Sequence, residues 1–145
     1  MLFRSGPGDP AENTEIIETV KTLMEHKIPM FGVCLGHQIA ALAVGAKTEK
    51  LKYGHRGSNQ PVKDKETDRI YITLQNHGYT VDGYTLDSSI GKISHVNTND
   101  GTLAGVRYVK YPCVTVQFHP EVCEGHKDTA YLFDEFVEMM KGERR

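Results

Sequence analysis

Cys34 sits where an apolar run breaks into FGVCLGHQ, residues 31–38. A thiol placed between a strand and a helix N-terminus feels the partial positive charge of that terminus, which lowers its pKa and favours thiolate. The same strand–turn–helix geometry exposes serine nucleophiles in hydrolases, where small residues let the backbone turn tightly. Gly32 and Gly36 lie two residues to either side of Cys34 and suit such an elbow. Backbone N–H groups just after the nucleophile would face a developing oxyanion. Free cysteine is also commonly buried and inert, so residues 31–38 by themselves leave both readings open.

A base and its orienting carboxylate come from His119-Pro120-Glu121, which closes the run CVTVQF. Residues two apart in an extended segment face the same side. His119 and Glu121 can therefore sit together, and Pro120 disfavours continuing a strand or starting a helix there. A carboxylate beside an imidazole orients the ring and stabilises the imidazolium. Alone, the three residues would equally describe a strand-end histidine beside a solvated glutamate. With a separate elbow cysteine, Cys34, His119 and Glu121 make a complete nucleophile, base and orienter.

Other motifs carry less. Residues Gly6 to Ala11 (GPGDPA) formally fit the dinucleotide pattern GxGxxA. Pro7 removes a backbone donor, and the next expected strand ends on a cysteine rather than a ribose-binding acid. A turn that lets backbone approach a ligand closely is the better reading. His119-x-Glu121 imitates half of a zinc-deaminase signature without the PCxxC. HExxH is absent and the remaining histidines are scattered, so no metal site is expected. Gln75-Asn76-His77-Gly78-Tyr79 reads in isolation as a loop after a strand. There Asn76 could bond a small polar ligand and Gly78 give backbone access.

These residues need a scaffold, and 145 residues suffice for one domain with a real core. Seventeen basic against nineteen acidic residues leave no global field for nucleic acid or anionic lipid. No apolar stretch approaches the length of a membrane span, and no secretory signal opens the chain. Three cysteines without a CxxC pair favour a reducing cytosol over a disulfide framework. Helical spacing runs from Ala11 to His26 and from His37 to Val44, the latter stopping at Gly45 as a C-cap. Ile28 to Val33 reads as a buried strand of a parallel sheet. Arg69–Leu74, Gly91–Val96, Leu103–Val109 and Pro112–Phe118 alternate as strands, and Asp128–Lys141 closes as an amphipathic helix. The order predicts an α/β fold with a mixed sheet flanked by helices.

GPGDP, FGVCLGHQ, QNHGY and VQFHPE, in this order, resemble the class I (triad) glutamine amidotransferases. GAKT, GHRGSNQPVKD, ITLQNHGYTVD, NDGTLAGV and DTAYLFDEF extend the likeness to the small, glutaminase subunit of carbamoyl-phosphate synthase. The resemblance implies a mainly parallel sheet in flavodoxin-like layers. It implies that Cys34 attacks the side-chain amide of L-glutamine to give a thioester, that His119 activates the thiol and then protonates ammonia, and that Glu121 orients His119. Gly6, Gly8 and Leu35 match glutamine-binding and oxyanion positions, Gln38 a substrate-holding side chain, and Asn76, Gly78 and Tyr79 a segment closing over the substrate. Ammonia would pass to a large synthetase subunit that uses ATP, magnesium and bicarbonate, with no cofactor in this chain. A cytoplasmic protein with neither nucleic-acid nor membrane partners is expected.

Departures are local at Arg4-Ser5, where the family reads SN, and at Val122 to His126, where it reads SPGP. Ahead of GPGDP the family carries an N-terminal domain, a source of a further glutamine-contacting serine, and a strand–helix–strand portion. Residues 1–145 thus match the C-terminal portion of a glutaminase domain, with the N-terminal strands of the sheet missing. Two alternatives follow: an inactive or partner-dependent fragment of such a domain, and the glutaminase of another synthase.

Overall fold

The computed structural model describes residues 2–3, 10–118, 132 and 134–138. The first strand, β1 (Leu2–Phe3), is followed by a short 3-10 turn at Pro10–Glu12 and by α1 (Thr14–Glu25). Helix α1 buries Val20 and Met24 and half-buries Ile17 and Leu23, a stripe at three- and four-residue spacing. It ends on paired bonds from Lys27 N–H to Met24 O and from Ile28 N–H to Leu23 O. This places Lys27 at φ 58°, where glycine is usual.

Strand β2 (Met30–Val33) is buried at every position. It runs into α2 (Leu35–Ala43), which starts two residues before the helical spacing expected from His37. Nearly the whole of α2 is buried, and its alanines allow close packing against α1 and the sheet. Gly45, at φ 96°, is the expected C-cap. Gly45 N–H bonds Leu42 O and Ala46 N–H bonds Ala41 O, satisfying two terminal carbonyls.

The rest is β-rich: β3 (Lys47–Asp64), β4 (Ile70–Asp82), β5 (Gly91–Asn97), β6 (Leu103–Tyr108) and β7 (Cys113–Val116). Together they form one seven-stranded sheet in the order β1-β2-β7-β6-β5-β3-β4. The mixed α/β class agrees with the expectation, but the sheet is not mainly parallel. Of its six pairings, β1–β2 and β2–β7 are parallel and the other four antiparallel. Connection length explains the balance. Short turns join β3 to β4, β5 to β6 and β6 to β7, and these close antiparallel neighbours, whereas parallel ones need long crossovers.

QNHGY also departs from its expected loop and continues β4, with Gln75 opposite Gly57 and His77 opposite His55. Asn and Gly favour turns in isolation. Here Thr73, Gln75 and His77 are all buried on one face of the strand. The ring of His77 also meets Gln75 Oε1 and Tyr79 O, each at 2.7 Å. The ladder to β3 outweighs the local preference.

Side chains of β2 alternate between two cores. Met30 joins α1, α2, Leu103, Val106 and Cys113 on one face. Phe31 and Val33 join Val116, Phe118 and Leu132 on the other. Helical residues 132 and 134–138 cover this second face, with Phe136 edge-on to Phe31 at 5.6 Å. Glu135 accepts two bonds from Arg107 of β6, at 3.0 and 2.7 Å. The expected final helix over Asp128–Lys141 otherwise lies outside the described residues. Among the described residues no helix is long and apolar enough to cross a membrane.

Gly45 gives a direct test of the α2 stop signal. A Cβ there would meet nothing within 4 Å, so Gly45→Ala isolates the backbone cost of the left-handed conformation. The substitution is expected to remove about 1 kcal/mol, read as a lower urea midpoint with an unchanged m-value.

Candidate functional site

Cys34 is the single residue between β2 and α2, and its backbone lies at φ 56°, ψ −111°. For a residue with a Cβ this conformation costs about 1–3 kcal/mol and persists only where packing over-determines it. The packing is visible at Gly32. A Cβ there would lie 2.9 Å from Thr115 Cγ2 and 3.0 Å from the backbone carbon and oxygen of Gly36. Strand β2, helix α2 and strand β7 thus meet with no room for a side chain. Cys34 N–H donates to Val116 O at 2.9 Å and locks the turn to the end of β7.

The cysteine is buried, 4% exposed, and packs with Phe118, the last described residue before His119. Leu35, also buried, opens α2. N–H groups of a first helical turn have no acceptor within their own helix, so the amide that follows Cys34 is available to an oxyanion.

A chain of amides leads away from the sulfur. Gln117 Nε2 donates to Cys34 Sγ at 3.7 Å. Gln117 Oε1 accepts from Gln38 Nε2 at 2.7 Å, and Gln38 Nε2 also donates to Tyr79 O at 2.8 Å. Cys34, Gln38 and Tyr79 are therefore brought together, although they come from the elbow, α2 and β4. Gly78 lies half-buried in β4 beside Tyr79. Asn76 pairs in the ladder with Arg56, and its side chain lies outside the described set. Gly6, Gly8, His119 and Glu121 fall outside the described residues altogether.

Gln117 lies inside VQFHPE, the motif that marks His119 and Glu121, but the motif by itself does not single it out as a site residue. Its signal lies in PCVTVQF, where Thr115 and Gln117 take alternate places on one face of an apolar run, and both are fully buried. Thr115 Oγ1 meets His37 Nδ1 at 2.8 Å. His37 follows the elbow closely enough to suggest a base, but burial, and then His77 and His95, push it down to about 3. An imidazole that weak is poorly matched to taking a proton near neutrality. On the second core face, burial likewise pushes His95 down to about 4, against the pull of the nearby Asp64 carboxylate and with help from Arg107. No group of three or more histidine, cysteine or acidic side chains among the described residues is placed to hold a metal ion.

Comparison with known proteins matches residues 1–139 to the family model described as glutamine amidotransferase class-I. The chain is 48% identical over 141 residues to the carbamoyl phosphate synthase small chain of Bacillus caldolyticus, covering 97% of this chain and 38% of that relative. It is 51% identical over 137 residues to the small chain of Fusobacterium nucleatum, covering 94% and 38%. The chain thus spans less than two-fifths of the length of these curated relatives. Its fold is similar to that of a solved glutamine amidotransferase from Thermotoga maritima. That match has a TM-score of 0.68 at 22% identity and covers 98% of this chain and 63% of the other. A solved Thermoplasma acidophilum protein assigned to GMP synthase superimposes more closely, with a TM-score of 0.81 at 21% identity, covering 99% of this chain and 73% of the other.

His37 carries a pH prediction. Its folded pKa, about 3, lies below the value near 6.5 of the unfolded chain. Between these limits the unfolded state binds the extra proton, so stability is fully present above about pH 6.5 and falls as pH drops. The slope expected from this one group is about 1.4 kcal/mol per pH unit. Thermal melts between pH 7 and 5 should show a falling Tm, and His37→Gln should flatten that fall. An equal slope in both proteins would exclude His37 as the source.

Proposed function

The chain belongs to the class-I glutamine amidotransferases, and from that premise we propose that it hydrolyses L-glutamine to glutamate and ammonia through a thioester on Cys34. The observation that carries the reading is the elbow itself. A cysteine is held at positive φ between a strand end and a helix start, with backbone pressed against it where Gly32 admits no Cβ. Inert buried cysteines have no need of that conformation.

In the proposed reaction Cys34 Sγ adds to the side-chain amide carbon of glutamine. The C–N bond then breaks, and ammonia leaves with a proton returned by His119, which took it from the thiol. Glu121 orients His119. The Leu35 N–H, with the Gly6–Gly8 loop, faces the oxyanion, and water cleaves the thioester to release glutamate and restore the thiol. Gln38, Asn76, Gly78 and Tyr79 hold the substrate. Support comes from the order of the motifs and from the meeting of Gln38 and Tyr79 beside the cysteine.

Similarity to carbamoyl phosphate synthase small chains favours delivery of the ammonia to carbamoyl phosphate formation, in pyrimidine and arginine biosynthesis, by a large synthetase subunit. The ATP, magnesium and bicarbonate of that step belong to the partner, and this chain needs no cofactor of its own. Ammonia release from glutamine should therefore be measured with and without a carbamoyl-phosphate synthetase large subunit. Release is expected at least with the partner, and Cys34→Ala is expected to lower it roughly a thousandfold or more. Turnover that survives Cys34→Ala would sink the mechanism.

A further inference from the structure

We propose that Gln117 is a further catalytic group of this site: its carboxamide N–H is aimed at Cys34 Sγ and holds that sulfur as the thiolate. The proposal rests on the glutaminase reading for its purpose, while its physical content is a hydrogen bond that can be measured without turnover.

The orientation of Gln117 follows from an atom whose role is fixed. A side-chain amide can present either its oxygen or its nitrogen, and only its surroundings decide which. Tyr79 O is a backbone carbonyl and can only accept. It lies 2.8 Å from the Gln38 amide, so Gln38 must turn its nitrogen that way. The second hydrogen on that nitrogen is directed at Gln117, 2.7 Å away, which must answer with its oxygen. The amide nitrogen of Gln117 is left facing Cys34 Sγ, at 3.7 Å. All three side chains are buried, with Gln117 at 0%, so water does not compete for these bonds.

Two consequences follow. A donor on the sulfur favours the charged form over the neutral thiol, and it also fixes where the attacking atom sits. Both hydrogens of the Gln38 amide are used within the protein. Gln38 therefore meets a substrate through its carbonyl oxygen, which suits an ammonium or amide N–H of glutamine rather than its carboxylate.

The test uses the whole chain, with the thiolate of Cys34 followed by its ultraviolet absorbance against pH as a difference from Cys34→Ser. That difference cancels Cys113, which burial pushes up to about 12, and Cys123. Gln117→Glu is close in shape and keeps an oxygen for Gln38, but turns an acceptor and a negative charge towards the sulfur. Gln117→Met has similar length and no donor. Thiolate formation is expected about one pH unit or more higher in both variants, from the loss of a bond to a charged group. A merely structural role, satisfied by the Gln38 contact, predicts no movement in Gln117→Met. Gln117→Glu, by contrast, sets a negative charge where the donor is proposed and leaves the midpoint in place only if residue 117 does not face the sulfur. An unmoved midpoint in that folded variant overturns the proposal even if Gln117→Met fails to fold. Should the midpoint move in Gln117→Met while the unsubstituted chain releases no ammonia even with a synthetase partner, the hydrogen bond stands and the glutaminase reading falls.

Discussion

Between Gly32 and Gly36 a strand and a helix approach so closely that a Cβ on Gly32 would meet backbone at 3.0 Å and Thr115 at 2.9 Å. Much of the candidate site depends on that contact. It leaves one residue to reverse from β2 into α2, and that residue takes a positive φ that ordinary side chains avoid. Strain of this kind survives because several neighbours hold it at once. The neighbouring ladder ties β2 to β7, Cys34 N–H bonds Val116 O, and α2 is buried along nearly its whole length. A site on such rigid elements keeps its geometry better than one on a loop.

Around the elbow the interior is polar, and it is ordered by pairing. His37 bonds Thr115, Gln38 bonds Tyr79 and Gln117, and Gln117 reaches the sulfur. Each such bond contributes only about 1 kcal/mol net, yet a buried amide left unpaired costs more than that. The network therefore acts less as glue than as a selector of orientation, binding the long β3–β4 ribbon to the turn that carries the cysteine. On the opposite face Arg107 and Glu135 clasp the last helical segment to β6, and Phe136 packs on Phe31. The β2, β7 and β6 part of the mixed sheet thereby has helical residues packed on both sides.

Much of this is legible without coordinates because it is local. The three- and four-residue spacing of Ile17, Val20, Leu23 and Met24 marks α1, and the compact apolar run up to Val33 marks β2. Gly45 stops α2 where a glycine stop signal stands. Three features are not legible. QNHGY reads as a turn until its ladder with β3 is seen. The balance of parallel and antiparallel pairing differs from the expected one, because strand directions follow from which segments become neighbours. Gln117 stands within VQFHPE but its role is not legible there, because its importance lies in contacts with Gln38 and Cys34, distant in sequence.

The residue types therefore determined what chemistry is possible: a thiol flanked by glycines, a later histidine and glutamate, and helices and strands with recognisable faces. Periodicity, cap residues and turn sterics act over a few residues, so one chain read in order reveals them. Only tertiary structure decided that Cys34 sits at positive φ, that QNHGY is strand, that His37 is held as a weak base, and which end of the Gln117 amide meets the sulfur. These depend on burial and on partners dozens of residues away, which are set only when the sheet closes over α2.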